Sequence, residues 1–436
     1  MSKRLVSLMI VSILVCLLTT IDIELVRCVE PPAIEWTRTY GGVNEDVPLS
    51  VIQTSDWGYA LAGRTNSFGA GNFDFWLVKT NRTGHEQWNK TFGTVGTERA
   101  EGGVIQTIDS GYLLIGHKGV EPNRDMWIVK TDSDGNMMWN KTYGGPRCDT
   151  GRGAVLTDDG GYALFGNTRS FGAGDYDFWL VKTNSTGGME WNQTYGGGGV
   201  DLAASLVRTD DGGFALAGRT SSFGAGSQDF WLVKTNSTGG MEWNQTYGTT
   251  GYEAATACVQ TSDGEYALTG QKGIYDTAEF WLIKTNATGH EQWNETYGGP
   301  EEGDDHALSM VQTSDEGYAL AGLATSLGAG GRDFWLIKTD PSGNAMWNLT
   351  FGESNDDVAT SVIQTYDGGY AVAGYIESSP DRDFWLIKLA GPPPVGGKWI
   401  SIDKYELLVP WIGLTSLITV ATISLVLTRR RRKQQN

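Results

Sequence analysis

The stretch TDDGGYALFGNTRSFGAGDYDFWLVKTNSTGGMEWNQTY, from Thr157 to Tyr195, contains every part of a unit that the chain repeats. A turn sequence precedes an aromatic residue, and a Gly-rich loop follows it. An acidic residue and a Trp then lead into a second turn and a second Trp. Aromatic and β-branched residues bounded by Gly, Asn and Asp are typical of short strands joined by tight turns.

Three anchor positions recur seven times each, in fixed order, along the 436 residues. The Trp before a Thr-aromatic-Gly run is found at Trp36, Trp88, Trp139, Trp191, Trp243, Trp293 and Trp347, which are 50 to 54 residues apart. The aromatic residue after the turn is Tyr59, Tyr112, Tyr162, Phe214, Tyr266, Tyr318 or Tyr370. The Trp after the acidic residue is Trp76, Trp127, Trp179, Trp231, Trp281, Trp335 or Trp385. A period of this length indicates a repeat architecture.

Each unit contains four strand patterns, which in the first unit are Val51–Thr54, Tyr59–Ala62, Phe75–Thr80 and Gln87–Phe92. Four strands at this period are typical of propeller blades, and the competing architecture is a solenoid or an open array. We therefore predict an all-β fold.

The phase of the repeat favours a closed ring. The chain enters at a fourth strand, Glu35–Tyr40, and leaves after a third strand, Phe384–Leu389. Pairing these two segments completes the last blade and removes open sheet edges that invite aggregation. The prediction is a seven-bladed β-propeller of four-stranded blades over residues 31–389, closed by the N-terminal strand.

The repeat resembles known propeller families. The stretch Leu180–Trp191 is similar to the Thr-Gly-x-x-x-Trp outer strand of quinoprotein-type repeats, and Gly160-Gly161-Tyr162 resembles kelch repeats more loosely. Over residues 35–389 the unit is most similar to uncharacterised cell-surface propellers of archaea and bacteria. The resemblance implies a fold and not an activity, because propellers host many unrelated functions.

The first 30 residues have the pattern of a secretory signal. Lys3 and Arg4 precede an apolar run from Leu5 to Ile21. No clear small-residue cleavage site follows, so both a cleaved signal peptide and an uncleaved signal anchor fit.

The other end predicts a membrane anchor. A Pro/Gly linker over 390–406 leads to 407–428, which has 22 uncharged residues and can span a bilayer as a helix. The tail 429–436 begins with five cations, which favour the cytoplasmic side. The expected location is the cell membrane, with a single span, an extracellular propeller and a cytoplasmic C-terminus.

Charge and cysteine content exclude several classes. Residues 31–397 hold 23 Lys plus Arg and 46 Asp plus Glu, a net charge of −23. An acidic exterior repels nucleic acid, so no nucleic-acid partner is expected. The four cysteines have neither zinc-site nor disulfide-framework spacing.

Alternating strand direction divides the loops between two faces. We call the face with the loops after the second and fourth strands the upper face, and the face with the turns after the first and third strands the lower face. Because the chain enters at a fourth strand and leaves after a third, both ends start from the lower face. The upper face is therefore expected to point away from the membrane.

Ten Asn-x-Ser/Thr sequons occur, and none falls in an upper loop. Four lie in lower turns: Asn81, Asn184, Asn236 and Asn286. Six lie in outer strands: Asn89, Asn140, Asn192, Asn244, Asn294 and Asn348. They predict a glycoprotein with a bare upper face, although turn chemistry alone also explains the first four.

Acidic residues precede the first strand of six blades by five positions: Asp46, Asp149, Asp201, Glu253, Asp305 and Asp357. Blade two has Arg99 there, with Glu98 one position away. These acids are expected at the mouth of the central channel. They either form a ring of oxygen ligands for a hard cation such as Ca²⁺ or accept hydrogen bonds from loop amides between blades. No other cofactor is expected.

No catalytic constellation stands out, and His117 is predicted in an upper loop. The chain therefore reads as a non-enzyme, a surface binding, adhesion or structural scaffold that takes a glycan or protein partner on the upper face. His117, Arg124 and Tyr275 vary most among the upper loops and are candidate contacts. The alternative is a secreted-type hydrolase or oxidoreductase acting on an extracellular polymer.

Overall fold

The computed structural model describes residues 30–273, 277–299, 303–378 and 381–392. The expected signal segment, most of the linker, the membrane span, the basic tail and Tyr275 lie outside these residues. Within them, no helix has the length and apolar character needed to cross a bilayer.

In the described part of the chain, twenty-nine strands form seven antiparallel sheets, one for each blade, around a central channel. The first, innermost strands are β2 (Asp46–Gln53), β6 (Glu98–Arg99) with β7 (Val104–Gln106), β11 (Asp149–Leu156), β15 (Asp201–Arg208), β19 (Glu253–Gln260), β23 (His306–Gln312) and β27 (Val358–Gln364). The second strands are β3 (Tyr59–Thr65), β8 (Tyr112–Lys118), β12 (Tyr162–Thr168), β16 (Phe214–Thr220), β20 (Tyr266–Lys272), β24 (Tyr318–Ala324) and β28 (Tyr370–Ser378).

The outer half of each blade follows the same order. The third strands are β4 (Asp74–Thr80), β9 (Asp125–Thr131), β13 (Asp177–Thr183), β17 (Asp229–Thr235), β21 (Glu279–Thr285), β25 (Asp333–Thr339) and β29 (Asp381–Leu389). The fourth strands are β5 (Glu86–Phe92), β10 (Met137–Tyr143), β14 (Met189–Tyr195), β18 (Met241–Tyr247), β22 (Glu291–Tyr297), β26 (Ala345–Phe351) and, for blade seven, β1 (Ile34–Tyr40).

The N-terminal strand closes the ring, as the phase of the repeat predicts. β1 pairs antiparallel with β29, and Thr39 lies opposite Trp385. Trp385 Nε1 donates a 2.6 Å hydrogen bond to Thr37 Oγ1. In six other blades an Asn takes this place, as when Trp179 Nε1 donates to Asn192 Oδ1 at 3.1 Å. The seven-bladed prediction is confirmed.

The hydrophobic core lies between the blades. A third-strand Phe of one blade packs on the third-strand Trp of the next, as Phe178 does on Trp231 with ring centroids 4.7 Å apart. The closing junction repeats the contact, with Phe384 of blade seven 4.4 Å from Trp76 of blade one. Aromatic pairs at these distances add to the stabilisation from buried area. The last junction is therefore packed like the others.

A buried lysine secures the lower turn of every blade. Lys234 Nζ lies 2.7 Å from Asp211, 2.9 Å from Glu242 and 2.9 Å from the carbonyl of Thr235. The same pairing occurs at Lys79, Lys130, Lys182, Lys284, Lys338 and Lys388, each with the Asp of its own turn. An ammonium group can be buried here because each of its protons has an acceptor.

Blade two departs from the repeat. Its first strand is interrupted after Arg99 and resumes at Val104, so it holds one residue more than the first strand of blade one. Gly103 takes a φ of +82°, a conformation that favours glycine. This bulge corrects the predicted alignment: Glu98, opposite Lys118, occupies the place that Asp46 has opposite Thr65. Arg99 is the next residue along, and it does not replace the acid.

Candidate functional site

The seven acids of the first strands are buried and do not open onto the channel mouth. They begin the first strand or immediately precede it, because these strands start earlier than the sequence suggests: Asp46, Glu98, Asp149, Asp201, Glu253, Asp305 and Asp357. Each is 2% exposed or less. Asp149 Oδ2, for example, accepts the amide of Gly145 at 2.7 Å and the hydroxyl of Ser170 at 2.7 Å.

Each of these acids accepts a backbone amide of the loop before its strand. Cation binding by the same carboxylates stays a prediction. Among the residues that the structure describes, no group of three or more His, Cys, Asp or Glu side chains could hold a metal ion.

Six of these acids, all except Asp305, have a second carboxyl group beside them from the preceding blade. A Cβ built on Gly41 would lie 1.7 Å from Oδ1 of Asp383 and 3.0 Å from Oδ2 of Asp46, so only glycine fits between them. Burial, then the charges of Asp381 and Asp46, raise the pKa of Asp383 to about 6. Burial and then the neighbouring Asp201 raise the pKa of Asp177. These carboxyl pairs are part of the blade junctions.

The blades differ from one another at the channel end of the upper face. The sixth residue of the second strand is different in most blades: Arg64, His117, Asn167, Arg219, Gln271, Leu323 and Tyr375. The second residue of the first strand, or the residue that corresponds to it, also varies: Val47, Arg99, Thr150, Leu202, Ala254, His306 and Val358. In a chain whose blades otherwise repeat, this layer is where an asymmetric site can form.

The channel below this layer holds a cavity of about 440 Å³. One residue of each first strand is displaced by a bulge and lines it: Leu49, Glu101, Arg152, Ala204, Thr256, Leu308 and Thr360. Glu101 and Arg152 are neighbours, with Oε2 and Nη1 3.2 Å apart. The wall is therefore charged in blades two and three and mainly apolar or hydroxyl-bearing elsewhere.

A charged cluster occupies the upper mouth in blades one to three. It consists of Arg64, Arg99, Glu101, His117, Arg124 and Arg152, and we call it the arginine cluster. The guanidinium groups of Arg64 and Arg99 stack on the Phe73 ring, 5.4 and 4.8 Å from its centroid. Arg99 lies opposite His117 where β6 pairs with β8. His117 Nδ1 lies 3.6 Å from Glu101 Oε2.

Three carboxylates compensate part of this positive charge. Arg64 pairs with Glu45 at 2.6 Å, Arg152 with Glu101, and Arg124 with Glu121 at 3.6 Å. Arg99 has no carboxylate within 4 Å among the described residues. In a domain with a large negative charge, this is a local concentration of cations.

The cluster shifts the pKa values of its own members. Burial lowers the pKa of His117 to about 4, although Glu101 opposes the shift, so the imidazole is neutral at pH 7. Burial raises the pKa of Glu101, but Arg152, His117 and Arg99 outweigh it and the net pKa is lowered. Burial and then Arg64 lower the pKa of Arg99. Glu101 is therefore a charged carboxylate beside a neutral histidine.

The sequence identifies part of this site. Variation among the repeats points to His117 and Arg124, and the structure brings them together, although His117 belongs to strand β8 and not to an upper loop. Arg64, Glu101 and Arg152 were missed because they come from different strand positions of three blades. Aligning the seven repeats and looking for positions that vary between blades would have found them.

The outer-strand sequon residues all have a structural partner. Asn89, Asn140, Asn192, Asn244, Asn294 and Asn348 each accept the indole N–H of the third-strand Trp in their own blade. The lower-turn residues Asn81, Asn184, Asn236 and Asn286 each accept a turn amide two residues on. The repetition of both sets therefore has a reason besides glycosylation.

Comparison with known proteins supports the fold alone. No protein-family model and no curated protein matches the chain. Among solved structures, BBS1N in complex with ARL6DN matches with a TM-score of 0.50 and 10% identity, over 84% of this chain and 98% of that one. The polysaccharide lyase Uly1 has a TM-score of 0.49 and 10% identity, over 80% and 91%. Sqt1 from Chaetomium thermophilum has a TM-score of 0.47 and 11% identity, over 79% and 82%.

Proposed function

We propose that this chain is a membrane-anchored extracellular binding protein, an adhesion or scaffold molecule that takes its partner on the upper face. One observation carries the proposal: the blades repeat one another in strands, turns and junctions, and they differ most where the upper face meets the channel. Stability alone does not require the blades to differ from one another at this position. A partner surface needs an asymmetric set of side chains.

The membrane anchor is a further part of the proposal. β1 begins and β29 ends on the lower face of blade seven, where Ala390 N donates to Ala33 O at 2.9 Å. An anchor at 407–428 would then leave the upper face accessible from outside. Protease treatment of intact cells should release the propeller, and protection of the propeller from protease would contradict this orientation.

An enzyme acting on an extracellular polymer is the second candidate. Glu101 and His117 are titratable neighbours with shifted pKa values, which is a feature of active sites. However, His117 is only 1% exposed and does not line the cavity. Glu101 lines the cavity, but its histidine neighbour cannot reach a substrate there. The two therefore do not form an accessible acid–base pair, and binding fits the geometry better.

The test is a glycan and peptide array probed with the full chain in lipid nanodiscs, with and without Ca²⁺. The double variant Arg64→Gln, Arg124→Gln alters the upper face. Its matched control is Arg208→Gln, because Arg208 lies at the lower end of β15 and pairs with Asp158. Loss of array binding in the double variant alone supports the proposal. Equal binding by all three proteins, or loss in the control alone, contradicts it.

A further inference from the structure

Three buried hydrogen-bond donors without acceptors lie together in the arginine cluster. The Nε atoms of Arg64, Arg99 and Arg124 are buried and have no hydrogen-bond partner among the described residues. Buried polar groups in native proteins are nearly always paired, so each orphan needs an explanation. The Nε atoms of Arg38, in blade seven, and Arg219, in blade four, are also unpaired, but each is a single atom. Three such donors in one cluster indicate that a ligand acceptor fits there.

We infer that the arginine cluster binds an anionic group, a carboxylate or a sulfate, of an oxygen-rich ligand. This deepens the proposed function and rests on it, because it names the chemistry of the partner on the upper face. Arg99 is the centre of the site, since it is the member of the cluster without a carboxylate partner among the described residues. Guanidinium groups suit planar oxyanions because they donate two parallel hydrogen bonds.

The guanidinium groups of Arg64 and Arg99 are preorganised, because their neighbours hold them in fixed orientations. Phe73 lies against both Arg64 and Arg99, and the stacking of a guanidinium on a ring is itself favourable. Glu45 holds Arg64 from the other side at 2.6 Å. A ligand therefore meets side chains whose rotamer freedom is already reduced, which lowers the entropic cost of binding.

The channel wall beneath the cluster is also rich in donors. Ser50, Ser205, Ser309 and Ser361 line the cavity. Each accepts a backbone amide from the first strand of the next blade, as Ser205 Oγ does from Cys258 N at 3.1 Å. Their hydroxyl protons are not donated to any acceptor in the described part of the chain. Hydroxyl groups that line a cavity of about 440 Å³ and can donate match a ligand with many oxygen acceptors, such as a sugar acid.

The probe is glucuronate, with glucose as its uncharged counterpart and sodium sulfate as the bare anion. Isothermal titration uses the full chain in nanodiscs at low ionic strength. We expect glucuronate to bind at least tenfold more tightly than glucose, and its affinity to fall as salt rises. Sulfate should compete with it. If glucuronate and glucose bind equally, or neither anion binds, the inference is wrong.

Variants locate the site. Arg99→Gln should weaken glucuronate binding at least tenfold, and Arg99→Lys, which keeps the charge but not the planar donor pair, should weaken it less. The matched control is Arg219→Gln, because Arg219 occupies in blade four the strand position of Arg64 and already donates to Tyr252 at 2.7 Å. Should Arg99→Gln not fold, Arg124→Gln serves the same purpose. Loss of binding in Arg219→Gln with no change in the blade-two variants would overturn the assignment.

The two proposals can fail separately. Array binding that depends on the upper face, together with no affinity for either anion, rejects the anion site and leaves the binding function intact. Glucuronate binding that Arg99→Gln abolishes, without any array ligand, supports the anion site and rejects the broader claim for glycan and peptide partners.

Discussion

Asp383 shows how a single carboxyl group responds to its place between blades. Its Oδ1 is buried and has no hydrogen-bond partner, and Asp46 lies on the other side of Gly41. The pKa of about 6 exceeds the ordinary Asp value near 4, so folding takes up a proton between these values. The stabilising contribution of this group is complete below pH 4 and is lost as pH rises through 6.

Asp383→Asn should therefore remove part of the pH dependence of stability. We expect the free energy of unfolding of the natural chain to fall between about pH 4 and pH 7, and that of the variant to fall less, with a higher Tm than the natural chain at pH 7.5. Urea denaturation at a series of pH values measures this. Asp134→Asn, in an exposed turn, is the control, and an identical pH slope in all three proteins would count against the paired-carboxyl account.

The pair of Lys234 and Asp211 has the opposite effect on the pH dependence of stability. Burial opposes ionisation of Asp211, but hydrogen bonds from Lys234 and Thr209 lower the pKa of Asp211 to about 2. Stability from this group is present above pH 4 and is lost as pH falls toward 2. Lys234→Met should cost about 1–3 kcal/mol at pH 7, because Asp211 and the Thr235 carbonyl lose their partner. Lys90→Met, on the outer strand, should cost much less in the same urea titration.

At the scale of the element, the bulge in blade two is the feature that creates the site. It displaces Glu101 into the channel, next to Arg152 of blade three, and leaves Glu98 in the structural place of the repeated acid. The inserted residue lengthens the spacing between the acid and the rest of the first strand by one. Its effect depends on whether the residues before or after the insertion keep the pairing register of the other blades. Sequence spacing alone therefore placed Arg99 at the position of the acid.

Gly103→Ala tests the bulge. Both Gly103 and Gly160 have positive φ, +82° and +78°, so alanine strains either backbone by about 1–2 kcal/mol. A Cβ at Gly103 would also lie 2.7 Å from Cβ of Ser50, whereas a Cβ at Gly160 would have nothing within 4 Å. Gly103→Ala should thus lower the Tm more than Gly160→Ala does, and should alone weaken glucuronate binding. Equal effects of the two substitutions would show that the bulge is not a packed feature.

At the scale of the whole molecule, closure depends on β1. Without residues 31–40, β29 has an open edge, Trp385 loses the acceptor on Thr37, and Tyr40 can no longer donate to Gly84 O at 2.6 Å. We expect that deletion to lower the Tm strongly and to cause association through the exposed edge. A permuted chain in which residues 31–40 follow residue 389 through a short turn restores the strand and should restore the Tm. A deletion that leaves the Tm unchanged would contradict closure by this strand.

Sequence reasoning predicts the ring well because the repeat supplies its own alignment. Seven equal anchor sets define the blades, and the split unit at the two ends defines the closure. Sequence reasoning does not predict two features. One is the burial of the first-strand acids, which follows because the first strands begin earlier in the chain than expected, before Val51 in blade one. The other is the arginine cluster, which brings together Arg64, Arg99 and Arg152 from three blades. Such a cluster has no local pattern, since its members are neighbours only after the blades pack.

Hydrogen exchange with mass spectrometry on the full chain, with and without the strongest ligand from the array, tests the central claim most directly. The account predicts slower exchange in residues 97–104, 117–124 and 149–153 at the upper mouth, and no change in the lower turns of blades three and four. Protection confined to the lower turns or to the outer strands would show that the partner binds elsewhere.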